Sequence, residues 1–328
     1  MTHQSPPMTR DTLEHHQVPI YFVAVFVAVT FGLLWPLSAH GLSLWVTPAI
    51  AVLMYAMFLQ IPFLELRQAV GNKRFMAALL LANFILVPLL VWGLTRGLVE
   101  RPALLVGALL VLLTPCIDYV VVFTHIGKGD SRSMLAATPL LLLLQLLLLP
   151  VYLGLMLGEQ SSGVVAAGPF VEAFVGLIVV PMLLAVVTSA FARRSSAISL
   201  WNSAWAWLPV PAMALVLFVV LASHITAVVR DINVLLPVIP VYVAFVLLAP
   251  LMGIVAARLF ALPALTARAV TFSASTRNSL VVLPLALALP EDVRGLAATV
   301  VILQTLIELV AELLYVRLIP AVVWPTSR

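Results

Sequence analysis

Apolar runs of about 20 residues, divided by short charged loops, constrain this chain more than any other feature. Ten can be drawn, approximately at 18–36, 43–64, 74–95, 102–126, 132–157, 169–191, 202–223, 232–256, 264–289 and 294–318. Only 9% of the 328 residues are charged, against about 25% in an ordinary soluble domain. Too few polar groups are present to cover a water-facing surface, so the chain folds in a bilayer. Lipid offers no hydrogen bonds to a backbone, which makes each span a helix. The expected fold is an all-α polytopic membrane protein with ten transmembrane helices. Prolines at 88, 115, 139, 150, 237, 240, 250 and 284 kink or break several spans, and other groups must take up the carbonyls they free.

The loop charges orient the chain. With the N-terminus inside, inner loops and tails carry Arg10, Arg67, Lys73, Arg74, Lys128, Arg132, Arg193, Arg194, Arg258, Arg268, Arg317 and Arg328. Outer loops carry Arg96, Arg101, Arg230 and Arg294, with Arg277 left within the membrane. That bias places both termini in the cytoplasm and the protein in the cytoplasmic membrane. Arg268 and Arg317 lie near span ends, where they can snorkel to the interface. Residues 1–17 read as a flexible cytoplasmic tail, despite His3, His15 and His16, and 319–328 as a second tail. The linker 159–168 divides the spans into two five-helix halves, 18–158 and 169–318. An odd-numbered half reverses orientation on duplication, so the halves are expected to be inverted repeats.

Two polar interruptions then occupy the same place, the fourth span of each half. One is Thr114-Pro115-Cys116-Ile117-Asp118; the other is Ser273-Ala274-Ser275-Thr276-Arg277-Asn278-Ser279. A discontinuous helix exposes amide donors and carbonyl acceptors at its break, as a membrane-embedded solute site requires. Asp118 and Arg277 would each be costly alone in an apolar span. If the two spans cross, the two charges can neutralise each other, either within a transport site or merely to lock the spans together. Cys116 reads as a soft ligand or as a small buried hydrophobe. In the tenth span, Gln304, Glu308 and Glu312 recur every four residues and so share a helix face. Glu308 is the deeper acid, a candidate proton carrier or second partner for Arg277. Glu312 lies nearer the cytoplasmic end and reads as solvated. Asn83 and Gln145 are central polar groups of the kind that hydrogen-bond between helices.

Several functions are excluded or disfavoured. No Gly-rich loop with a Walker lysine and no nucleic-acid motif is present, so neither an ATP-driven pump nor a nucleic-acid partner is indicated. One cysteine allows no intrachain disulfide. An intramembrane enzyme is disfavoured because Cys116 has no histidine near it in sequence, and no cofactor is expected.

The chain resembles the bile acid/sodium symporter superfamily, and within it the arsenical-resistance branch of arsenite efflux permeases. The residues that carry the resemblance are Leu53-Met54-Tyr55-Ala56-Met57 with Ile61-Pro62-Phe63, Cys116, Gly127-Lys128-Gly129-Asp130, Gln145, Ala274-Ser275-Thr276 with Asn278, and Ile307-Glu308. The resemblance implies a panel domain of spans one, two, six and seven. It also implies a core domain of spans three to five and eight to ten, with broken spans four and nine crossing beside the substrate and coupling-ion sites. It implies export of a trivalent metalloid bound at Cys116, driven by proton-motive force, with Glu308 matching the branch's span-ten glutamate. Three departures stand out. Pro115 replaces the usual arginine before the cysteine, and Asp118 replaces a small residue after it. Arg277 and Leu280 replace an asparagine and a glutamate in span nine. A fixed guanidinium and a missing acid argue against a conventional sodium site.

The expectation is a secondary transporter that exchanges arsenite or a related metalloid for protons. Thr114, Cys116, Ser275, Thr276, Arg277 and Asn278 would bind the solute, with Asp118, Glu308 and Arg277 in coupling or charge pairing and Asn83, Gln145 and Gln304 in support. The alternative is a carrier for a small organic anion held by Arg277 and the helix-break amides, with proton or sodium coupling.

Overall fold

A computed structural model describes residues 13, 16–60, 72–117, 119–157, 172 and 175–324. Among them the chain is helical, with no strand beyond a single isolated bridge. In order, the helices are α1 (Gln17–Leu34), α2 (Pro36–Gly41), α3 (Ser43–Gln60), α4 (Lys73–Leu98), α5 (Pro102–Leu112), α6 (Tyr119–Ile126) and α7 (Ser131–Leu157). They continue with α8 (Val180–Ala192), α9 (Ser196–Trp205), α10 (Pro209–Arg230), α11 (Ile239–Leu259), α12 (Ala264–Ser275), α13 (Ser279–Leu287) and α14 (Glu291–Leu318). Six of them, α3, α4, α7, α10, α11 and α14, are long and apolar enough to cross a membrane. The fourth and ninth stretches are broken, as expected: 102–126 into two short helices, α5 and α6, and 264–289 into α12 and α13. Neither half of a broken span reaches the length of a full crossing. The seventh expected span, 202–223, begins later, at Pro209, after the separate helix α9.

The described chain forms two compact units, each drawing on both sides of the 159–168 linker. The first contains α1–α3 and α8–α10; the second contains α4–α7 and α11–α14. In the first unit α1 packs along α10, and α3 packs on α8 and α10. Gly32 permits the first contact, since a Cβ there would lie 2.6 Å from the Ala222 carbonyl oxygen. Tyr55 and Thr188 share a hydrogen bond of 2.9 Å, and the Tyr55 ring meets Trp205 edge-on at 4.7 Å.

In the second unit, small residues set the spacing of the broken helices. A Cβ on Gly107 of α5 would meet the Ala297 carbonyl oxygen of α14 at 2.8 Å. On Gly253 of α11, a Cβ would meet the Thr271 Cα of α12 at 2.6 Å. Both broken helices are thus pressed backbone-close to an unbroken one.

Three prolines within helices of this unit free carbonyls that side-chain hydroxyls take up. Pro88 removes the N–H that would have bonded the Phe84 carbonyl one turn earlier. The Tyr152 hydroxyl of α7 donates to that carbonyl at 2.6 Å, and a π-turn, Ala82–Leu86, forms in α4 just before the proline. Pro250 frees the Val246 carbonyl in the same way, and the Tyr315 hydroxyl donates to it. Pro139 frees the Leu135 carbonyl, which accepts from the Thr138 hydroxyl at 2.7 Å.

The α6–α7 connection is a tight turn closed by Gly129 N–H donating to Thr124 O at 2.7 Å, with Lys128 at φ 55°. Asp130 caps α7, its carboxylate accepting from Ser133 N at 3.0 Å and Ser133 Oγ at 2.6 Å. Arg268 does not snorkel. It is 1% exposed, and its guanidinium donates to the Lys128 carbonyl of this turn at 2.8 Å and to the Pro320 and Trp324 carbonyls beyond α14. Carbonyls at a helix end and in a turn attract a cation, so burial there is favourable where an apolar span end would not be. Trp324 is held further by Nε1 donating to Thr271 Oγ1 at 3.2 Å, with Arg258 over its ring at 5.9 Å.

Candidate functional site

Where α5 and α12 stop, the chain runs extended for a few residues, and the two extended segments cross. Pro115 and Arg277 form an antiparallel bridge. Cys116 N–H donates to Thr276 O at 3.1 Å, and Asn278 N–H donates to Thr114 O at 2.9 Å. The local cause is in the residues. Pro115 cannot continue α5, and the Thr114 hydroxyl turns back onto the Leu110 and Val111 carbonyls at 2.9 and 3.1 Å. The Ser275 and Thr276 hydroxyls do the same for α12, donating to Thr271 O and Phe272 O at 2.7 Å each. Asn278 opens α13, its Oδ1 accepting from Val281 N at 3.3 Å. Two helix C-termini and the α13 N-terminus therefore converge on one short backbone bridge.

Arg277 is 0% exposed and supplies the cation that this arrangement favours. Its Nη2 donates to Ser273 O at 2.6 Å, Ala274 O at 2.8 Å and Asn83 Oδ1 at 2.9 Å. Nη1 reaches Leu112 O, the end of α5, at 3.5 Å. The guanidinium thus spans the C-terminal ends of both broken helices. It also stands over the Phe245 ring at 5.6 Å. Asn83 comes from the π-turn of α4 and ties the same region to Ser273 Oγ at 3.0 Å. Asp118 lies outside the described residues. Among the described residues, the Arg277 guanidinium makes its hydrogen bonds to backbone carbonyls and an amide.

Glu308 of α14 faces the bridge from the other side. Its carboxyl accepts the Arg277 backbone N–H at 3.1 and 3.0 Å and the Gln304 amide, and its Oε1 lies 2.6 Å from the Tyr119 hydroxyl. Its contact to Arg277 is therefore with the backbone, while the guanidinium points to the helix ends. The Tyr119 hydroxyl also lies 2.7 Å from Arg277 O. Glu312 corrects the reading from sequence. It is 0% exposed rather than solvated, and its Oε1 lies 2.7 Å from Thr276 Oγ1. Helix α14 runs on to Leu318 and leads into a π-turn, Ile319–Val323, so position 312 is not at the helix end.

The crossing therefore brings together Thr114, Cys116, Ser275, Thr276, Arg277, Asn278, Asn83, Gln304 and Glu308. Gln145 is buried in α7, and neither its Nε2 nor its Oε1 has a hydrogen-bond partner. Asn278 Nδ2, Ser279 Oγ and Gln304 Oε1 are also buried without partners. Such groups are costly unless a polar solute or water meets them. Sequence reasoning missed Tyr119 and gave Glu312 too little weight. The four-residue spacing from Glu308 was the available signal for the second. Among the described residues no group of three or more His, Cys, Asp or Glu side chains converges as a metal site would require.

No curated protein matches the chain at a significant level. A family model described as the Sodium Bile acid symporter family matches residues 47–231, more than half of the chain. With its long apolar helices and this match, the chain is a multi-pass membrane protein of transporter type, and it belongs to the sodium bile acid symporter family.

Proposed function

We propose that the protein exports arsenite, or a related trivalent metalloid, across the cytoplasmic membrane in exchange for protons. The observation that carries this reading is the one thiol, Cys116, 0% exposed in a broken helix and bonded through its backbone to the segment that Glu308 also engages. A thiolate is the side chain best suited to a soft metalloid. One cysteine can replace one hydroxyl of arsenous acid, releasing one water, and water reverses the step. A single such bond suits a carrier, which must release its cargo, better than a sequestering site. At the crossing, Asn278 Nδ2 and Gln304 Oε1 are unpartnered polar atoms that can meet the remaining hydroxyls. In this reading the ten spans form inverted halves, 18–158 and 169–318, with both termini cytoplasmic, and movement between two conformations opens the crossing to alternate sides.

Two observations weigh against the other readings. An organic-anion carrier would need Arg277 for the anion, yet its Nη1 and Nη2 donate to carbonyls of both broken helices and to Asn83, and only Nε is left buried without a partner. The family's name includes sodium, but here the carbonyl ends that attract a cation already hold a covalently tethered one.

The test is arsenite uptake into inside-out vesicles of purified protein, with and without a pH gradient. Gradient-driven accumulation that Cys116→Ser reduces at least tenfold is the expected result. Correctly folded protein that moves no arsenite overturns the proposal.

A further inference from the structure

One turn beyond Glu308, α14 carries a carboxyl with no counter-charge among the described residues. Glu312 Oε2 is buried without a partner, and among the described residues no basic side chain forms an ion pair with it. Its Oε1 lies 2.7 Å from Thr276 Oγ1, and that hydroxyl lies 2.7 Å from Phe272 O. Both separations are those of O–H···O hydrogen bonds. A threonine hydroxyl has one proton and can donate to one of these oxygens. An oxygen pair at 2.7 Å with no proton between them repels. Both contacts are satisfied when Glu312 itself carries a proton and donates it to Thr276 Oγ1, which then donates to Phe272 O.

The same proton count holds at Glu308. The Tyr119 hydroxyl lies 2.6 Å from Glu308 Oε1 and 2.7 Å from Arg277 O, with one proton for two acceptors. Each carboxyl thus faces a hydroxyl that is also seated on a backbone carbonyl, one at the end of α12 and one in the crossing segment.

We infer that Glu308 and Glu312 form a two-proton site, with Glu312 as a second proton-binding carboxyl, both loaded in the conformation described here. This deepens the proton-exchange reading and rests on it for its role in transport. Loss of either proton, to water, forces the matching hydroxyl to choose between carboxylate and carbonyl. Charge state is thereby tied to the geometry of the broken helix. The titratable and charged groups facing Glu312 are Glu308 and Tyr315 on its own helix. Those facing Glu308 from the crossing are Arg277 and Tyr119.

The experiment needs no cargo. Infrared spectra of the purified protein in lipid vesicles, in H2O and D2O at neutral pH, would be compared for wild type, Glu308→Gln, Glu312→Gln and Thr276→Val. Two protonated-carboxyl bands are expected, one lost in each glutamine variant. Thr276→Val should shift the Glu312 band to higher frequency, because its hydrogen-bond acceptor is gone. A Glu312→Gln spectrum that retains both bands overturns the inference. If that variant does not fold, an unshifted carboxyl spectrum in Thr276→Val overturns it equally. Both bands present in a protein that moves no arsenite would support the two-proton site while sinking the metalloid reading. Arsenite transport without the Glu312 band would do the reverse.

Discussion

Arg277 shows how a buried charge can be structural and still shape what a site admits. Its donors meet the carbonyl ends of two broken helices, so replacing it removes partners from several buried acceptors together. Lysine keeps the charge but not the planar fork that reaches both helix ends. Arg277→Lys should therefore lower stability by about 2–3 kcal/mol, read as a fall in Tm in detergent. Arg277→Ala should lose more and regain part of its Tm when guanidinium is added below denaturing concentration. Absence of that rescue would mean the cavity, not the cation, accounts for the loss. Sequence made the two polar interruptions legible, because ionisable and hydroxyl residues stand out in apolar runs. It did not reveal Arg277's partners, since backbone carbonyls have no signature in a residue string. Glu312 was misjudged for a related reason: distance from the end of an apolar run is a poor measure of depth when the helix continues through Pro320.

At the scale of elements, proline placement and hydroxyl placement are matched. Pro88 with Tyr152, Pro250 with Tyr315 and Pro139 with Thr138 each pair a lost backbone donor with a side-chain replacement. Tyr152→Phe should cost about 1 kcal/mol, the ordinary net worth of one such bond, and Pro88→Ala in that background should recover it by restoring the N–H. Thermal melts of the single and double variants decide this; failure of the double variant to recover would reject the pairing. Close helix approach is equally specific. Gly107→Val places new atoms against the α14 backbone and should lose about 1–3 kcal/mol. The positions of the prolines were readable beforehand. Which tyrosine serves which proline was not, because each tyrosine lies 68 or 69 residues from the carbonyl it meets.

For the whole molecule, two properties follow from charge. The proposed orientation, with both termini cytoplasmic, rests on the loop bias; it predicts that a tag at either end is shielded in intact cells and labelled once the membrane is opened. Labelling of either end in intact cells would reject that orientation. Ion dependence is the second property. With a guanidinium already at the helix ends, replacing sodium by choline at constant pH gradient should leave transport unchanged. A loss greater than about threefold, roughly 0.7 kcal/mol in binding terms, would show that sodium has a place of its own.

The latch between Arg268 and the chain's far end affects the order of assembly. The acceptors at Pro320 and Trp324 are synthesised 52 and 56 residues after the arginine that needs them. During synthesis, α12 therefore enters the membrane with its cation only partly satisfied, by Lys128 O alone. The half-helix that bears the crossing is secured when the last residues arrive. A chain cut short of Pro320 would lack three of the four hydrogen bonds that hold the Arg268 guanidinium, and α12 with it.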